Sequence, residues 1–297
     1  MPARADAPLA LAAGGLTATV LPAEGGVIVD ARLGGRPFLA ATPWASSVTA
    51  EPEPAPDEQT WVARWRGGWQ VCLPSAGQPD PTDPRQGFHG AASQARWAVV
   101  ESSEAHVALS WRDADLVAER AIVLGNGRLT VRTLLRNDGP AARQVLVAEH
   151  LVLGGDVLTA PLELATNAGA LQPLDYSGVP DGIPVPWPGE RAERWDIVDV
   201  ATPARVAGLV DVRRVTATGD HVEVVVAWHG LPHALLWEEL GVSTEPPWNG
   251  DVVALGIEPS SVPHGAGTAH GDAQTLAPGE SLAWEAALEV RFAEGVA

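Results

Sequence analysis

The sequence predicts an all-β protein, a large antiparallel β-sandwich. Apolar and polar residues alternate in one segment after another, as they do along half-buried strands. Turn-forming residues, 31 Gly and 26 Pro, are spread along the whole chain. No window carries a convincing helical apolar stripe longer than two turns.

Residues 16–21 alternate and read as an early strand, and 107–111 and 116–123 follow the same pattern. Gly125-Asn126-Gly127 is a strong hairpin turn, and it leads into a strand over 129–136. Further strands are expected over 144–151, 205–212, 221–228, 234–240, 252–257 and 281–292. Trp, Val and Thr at alternate positions suit a pleated, half-buried surface. Residues 51–58, 78–86 and 177–191 are loops by composition, the first acidic and Pro-rich, the last Pro-rich. None of them separates two independent hydrophobic blocks, so residues 1–297 are expected to form one domain.

A chain of 297 residues can bury a large core. Its 46% apolar and 19% charged residues are those of a globular protein. The net charge of -18, with Arg as the sole cationic side chain, argues against nucleic acid and against anionic membrane surfaces. Its ordinary meaning is solubility. Cys72 is the only cysteine, which excludes an intramolecular disulfide and a Cys-based metal cluster. It lies in an apolar run and is expected to be a buried thiol. No stretch approaches the ~20 apolar residues of a membrane helix. Residues 8–16 are apolar behind Arg4, but the alternation that follows favours a strand over a signal peptide, and a cytoplasmic location is expected.

Three segments could carry chemistry. They are Gly87-Phe88-His89-Gly90 with Trp97 beyond it, Ala148-Glu149-His150 at the end of an apolar strand, and Gly256-Ile257-Glu258-Pro259, where a carboxylate ends another. Each residue alone has an ordinary structural reading, a turn glutamate or a satisfied histidine, and spacing cannot say that the three converge. His264 and His270 stand six apart in a Gly-rich stretch and match no tight ligand pattern, so no metal is expected. Ser75 lacks a nucleophile-elbow context. No phosphate-cradling loop with a Lys exists, and no cofactor is implied.

The order of these segments resembles the aldose 1-epimerase (galactose mutarotase-like) superfamily over nearly the whole chain. The start, Leu16 to Val29 with paired Gly25 and Gly26, resembles the family's opening hairpin. Gly67-Gly68-Trp69 through Pro74 to Gly77 resembles its turn lining the sugar site. Gly87-Phe88-His89-Gly90 resembles its first histidine motif, and 129–137 followed by His150 its long strand and second histidine. Gly256-Ile257-Glu258-Pro259 resembles its C-terminal glutamate motif, and 276–281 its closing turn. The chain departs from the better-known members after His150, where Leu-Val-Leu-Gly replaces a Pro-Tyr-Phe run, and in the 177–191 loop.

The resemblance implies a supersandwich that binds a free sugar and interconverts its anomers by acid–base ring opening. Glu258 would be the base and His150 the acid, with His89 orienting the sugar near its ring oxygen. Arg66 would contact sugar hydroxyls, and Trp237 or Trp248 would lie under the sugar's C–H face. Asp196 or Asp251 would be the carboxylate that holds a hydroxyl. The global charge favours neutral sugars over sugar phosphates. A monomer or homodimer is expected. Two other readings stay open: a non-catalytic sugar-binding or sensing protein on the same fold, and a glycoside hydrolase or lyase using Glu238 or Glu239 with Glu258.

Overall fold

A strand that is apolar on one face needs a second layer to cover that face. The computed structural model describes residues 7–49, 53–125, 127–186, 197–198 and 205–293. Within them an 11-stranded and a nine-stranded antiparallel sheet form the architecture expected from the alternation. The first sheet runs Leu9–Ala13, Leu16–Leu21, Val27–Leu33, Trp69–Cys72, Ala148–Leu153, Val253–Ser260, His233–Leu240, Arg205–Val210, Ala170–Pro173 and Val185–Pro186. Arg36–Pro37 pairs at its side with Val27–Leu33. The second runs Ile197–Val198, Leu162–Thr166, Arg214–Thr218, Val222–His229, Ser281–Phe292, Arg128–Asn137, Leu116–Gly125, His106–Asp113 and Ala98–Ser102.

The two sheets share one hydrophobic core, in which Trp69, Leu151 and Ile257 of the first meet Leu116, Ile122, Val131 and Trp284 of the second. A charged group sits in that core. Arg120 donates two hydrogen bonds to Glu149, at 2.7 and 2.8 Å, and the Trp69 and Trp284 indoles donate to the same carboxylate at 2.7 and 2.6 Å. Charge buried this deeply persists only when paired and hydrogen-bonded.

Every residue of Ala148–Leu153 is buried, because this strand is covered on both faces. Glu149, Leu151 and Leu153 face the core. His150 and Val152 face the opposite side, where Trp61, Val62, Trp65, Phe88, Val152 and Ala254 form a second cluster. Cys72 is a buried free thiol, as expected.

Three local expectations are corrected. The stretch read as loop through residue 58 gives way to a helix, Glu58–Arg64, whose N-cap Asp57 accepts from the Thr60 N–H at 2.8 Å. Residues 144–151 are not one strand. Arg143–Val145 pairs with Gln274–Leu276 in a separate two-stranded sheet, and Ala148–Leu153 joins the large one. The strand expected over 252–257 continues to Ser260. Pro259 forfeits one donor, yet the pairing resumes at Ser260 opposite both Ala148 and His233. Glu258 is therefore held inside a strand rather than at its mouth. Among the described residues, no helix is long and apolar enough to cross a membrane.

Candidate functional site

Strand register brings the candidate residues together. Ala148 pairs with Ser260 and Val152 with Gly256, which sets His150 opposite Glu258. Glu258 is also opposite Leu235, Trp237 is opposite Gly256 and Val206, and His150 is opposite Gln70. Directly opposed residues share a face. His150, Glu258, Leu235, Trp237 and Val206 thus project from one face of the first sheet, the face away from the core. Gly256 makes room there, since a Cβ on it would lie 2.5 Å from the Glu258 Oε1 atom and 3.2 Å from Trp237.

The helix Glu58–Arg64 and its following residue close one side of this face. Glu58, Trp61, Val62 and Trp65 all line the pocket, at the i, i+3, i+4, i+7 spacing of one helical face. Trp237 and Trp248 stand across from them, with Trp65 5.8 Å from Trp237 and 6.3 Å from Trp248 between ring centroids. Phe88, His89 and Tyr176 complete the aromatic lining, and the backbones of Gly77, Gly178 and Gly265 form a wall without side chains. The cavity encloses about 660 Å³ with its mouth.

His150 Nε2 lies 3.8 Å from Glu258 Oε1, and both side chains are nearly fully buried. Burial disfavours the charged form of each group. It pushes the Glu258 carboxyl up to about 8 and the His150 imidazole down to about 4. At neutral pH the pair therefore holds one proton, and it resides on Glu258. His150 Nδ1 is buried and has no hydrogen-bond partner among the described residues.

His89 is fixed differently. Its backbone adopts φ 59°, rare for a non-glycine residue. Gly77 clasps it twice: the His89 N–H donates to the Gly77 carbonyl at 2.9 Å, and His89 Nδ1 accepts from the Gly77 N–H at 2.9 Å. That acceptor role leaves the ring proton on Nε2. Burial, and then the neighbouring His150, hold His89 well below the usual histidine range, so it is a neutral donor. Its ring centroid is 5.1 Å from that of His150 and 4.5 Å from that of Trp61. Gly77 sits at φ +75°, and a Cβ there would fall 1.9 Å from the Gly265 carbonyl oxygen.

Five of the expected residues, Glu258, His150, His89, Trp237 and Trp248, line this one pocket. Arg66 does not. Its guanidinium donates to both Glu24 oxygens, at 2.6 and 3.0 Å, and to the Ala45 and Val48 carbonyls, so it staples a loop beside the sheet. Asp251 is an exposed turn residue outside the pocket lining. Asp196 lies outside the described residues. Glu239 is spent on its own turn, accepting from the Val242 and Ser243 N–H groups and the Ser243 hydroxyl, and Glu238 projects from the opposite face to Trp237. Neither stands beside Glu258 as a second carboxylate. Trp61, Trp65 and Glu58 were missed in the sequence, although Asp57 as a cap ahead of that spacing was a usable signal.

His264, His270 and Asp272 offer possible metal-ligand atoms within 4.8 Å of one another. The chemistry of the donors opposes a metal there. His264 Nδ1 accepts from the Ala266 N–H at 3.1 Å, which places the ring proton on Nε2, and Nε2 then donates to Asp272 at 2.9 Å. Its lone pairs are already committed.

No family model matches the sequence, and no curated protein matches it. Solved structures do. The Slr1438 protein from Synechocystis sp. PCC 6803 superposes with a TM-score of 0.73 at 16% identity, covering 97% of this chain and 96% of that one. A galactose mutarotase-like protein from Clostridium acetobutylicum gives 0.70 at 15% identity, covering 96% and 95%. The GalM/aldose epimerase homologue from C. elegans gives 0.69 at 15%, covering 97% and 99%. The chain thus has the galactose mutarotase-like fold over nearly its full length, at a sequence distance where fold alone is what the likeness shows.

Proposed function

We propose that the protein is an aldose 1-epimerase, with Glu258 and His150 moving the protons that open and close a sugar ring. The observation that carries this reading is the facing pair itself. A protonated carboxyl and a neutral imidazole, 3.8 Å apart and holding one proton between them, line an aromatic pocket.

Ring opening removes a proton from the C1 hydroxyl and delivers one to the ring oxygen. Rotation about C1–C2 and closure then return both protons on the other face. The reaction consumes no net proton, so a pair carrying one proton has what it needs: one member to give and one to take. The proton rests on Glu258. Glu258 as base with His150 as acid is the other tautomer of the same pair, reached by moving that proton between them. His89, with its donor on Nε2, suits a sugar oxygen near the reacting centre. Trp61, Trp65, Trp237 and Trp248 offer faces for the sugar's C–H bonds.

Polarimetry on freshly dissolved α-glucose and α-galactose tests the reading. The protein should speed the approach to equilibrium rotation, and Glu258→Gln or His150→Asn should slow the catalysed rate by roughly 10²–10⁴-fold. Spontaneous rates in the presence of folded protein, for every free aldose tried, would leave a sugar-binding protein. Release of reducing ends from glycosides would instead make it a hydrolase.

A further inference from the structure

The pocket holds a second carboxylate that ring opening does not use. Glu58 is half-buried at the first position of its helix, on the same face as Trp61, Val62 and Trp65. An acidic residue in the first turn helps any helix through the macrodipole. Here, however, Asp57 already caps the helix, and Glu58 points along the apolar stripe into the cavity. Burial raises its pKa, and no described residue donates a hydrogen bond to it or pairs with it. Its charge helps to raise the phenol of Tyr176, after burial and along with Glu239, so the two side chains share one region of the pocket.

The two arginines nearest Glu58 in sequence are turned elsewhere. Arg64, on the same helix, donates to the Glu53 carbonyl at 2.7 Å. Arg66 is held by Glu24. The described lining contains Glu58 and Glu258 and no Arg, and the chain has no Lys. A partly buried carboxylate without a partner is completed by a donor on the ligand and penalises an anion brought beside it.

We propose that Glu58 is a specificity-determining residue: its carboxylate accepts a hydrogen bond from a hydroxyl of an uncharged sugar and turns away phosphorylated and carboxylated sugars. The inference rests on the sugar-pocket reading above and adds the substrate class to it.

Glucose, galactose, glucose 6-phosphate and glucuronate are the probes. Turnover is followed by anomer exchange, and binding by the fluorescence of the pocket tryptophans. Wild-type protein should prefer the neutral sugars by about tenfold or more in kcat/KM and in binding. Glu58→Gln should narrow that preference by about tenfold, through weaker neutral and stronger anionic binding, while Glu58→Asp should keep it. A purely helix-stabilising Glu58 would shift the melting temperature and leave the ratio alone. Wild-type protein that takes the 6-phosphate as well as glucose, or a Gln variant with an unchanged ratio, overturns the proposal. Binding without turnover, with the ratio still shifted by Gln, defeats the epimerase reading and keeps Glu58. Failure to bind any of the four sugars defeats both.

Discussion

Replacing Glu258 by Gln should stabilise the fold at neutral pH even as it removes turnover. Burial holds this carboxyl at about 8, against an ordinary value of 4.5. Between those two values the folded chain keeps a proton that the unfolded chain releases, so stability falls as pH rises from 4.5 and levels off above about 8. Each pH unit in that window costs about 1.4 kcal/mol. At pH 7 the carboxyl therefore costs the fold about 3 kcal/mol. Gln has nearly the same shape and never ionises, so it removes the whole cost. In a chain of 297 residues the gain corresponds to roughly 5 °C in Tm. The assay is a set of thermal melts of both proteins at pH 5, 6, 7 and 8 in one buffer system. The gap in favour of Gln should be under about 1 kcal/mol at pH 5 and widen steadily to pH 8. A gap that does not change with pH would refute the reasoning, because Glu258 would then titrate alike in the folded and unfolded chains. The one-proton account of the site would fall with it.

Other outcomes follow from the same geometry. Turnover should hold a plateau while the pair carries one proton, falling below about 4 as His150 protonates and above about 8 as the pair empties; a pH–rate profile that still climbs past pH 9 would contradict this. Gly77→Ala should cost at least about 2 kcal/mol, since it strains a left-handed residue and drives a Cβ into the Gly265 carbonyl. Gly265→Ala, whose Cβ meets nothing closer than 3.6 Å, should melt like wild type and shift KM instead; chemical denaturation and kinetics on both variants separate the two effects. Arg120→Met should cost about 3–5 kcal/mol by leaving Glu149 charged in the core, and adding Glu149→Gln should recover part of the loss in urea titrations.

Much of the fold was legible because strand alternation is local. Residues 16–21, 107–111, 116–123 and 281–292 each show in their own side chains that one face is buried and the other is not. The errors fell where local signals were short or mixed. The helix Glu58–Arg64 spans two turns behind an acidic, Pro-rich segment, so its cap and stripe were easily lost. Pro259 reads as a stop, yet cross-strand partners on both sides carry the strand past it. Arg66 stands just before a segment that resembles a sugar-lining turn, but Glu24, 42 residues away, is the partner that takes its guanidinium.

What the sequence determined by itself was the all-β class, the acidic surface, the lone buried thiol and a short set of residues worth suspecting: Glu258, His150 and His89. What tertiary structure decided was their relation. Convergence of residues 89, 150 and 258 depends on which strands become neighbours and in what register, and a slip of one residue would turn every side chain to the other face. It also decided their protonation. The values near 8 and 4 come from the water that Trp61, Trp65 and their neighbours exclude; ordinary carboxylate and imidazole values would have left Glu258 ionised at neutral pH, with any proton the pair kept on the histidine. Local periodicity records which way a side chain faces; the company it keeps there, and therefore its charge, is set only when distant segments pack.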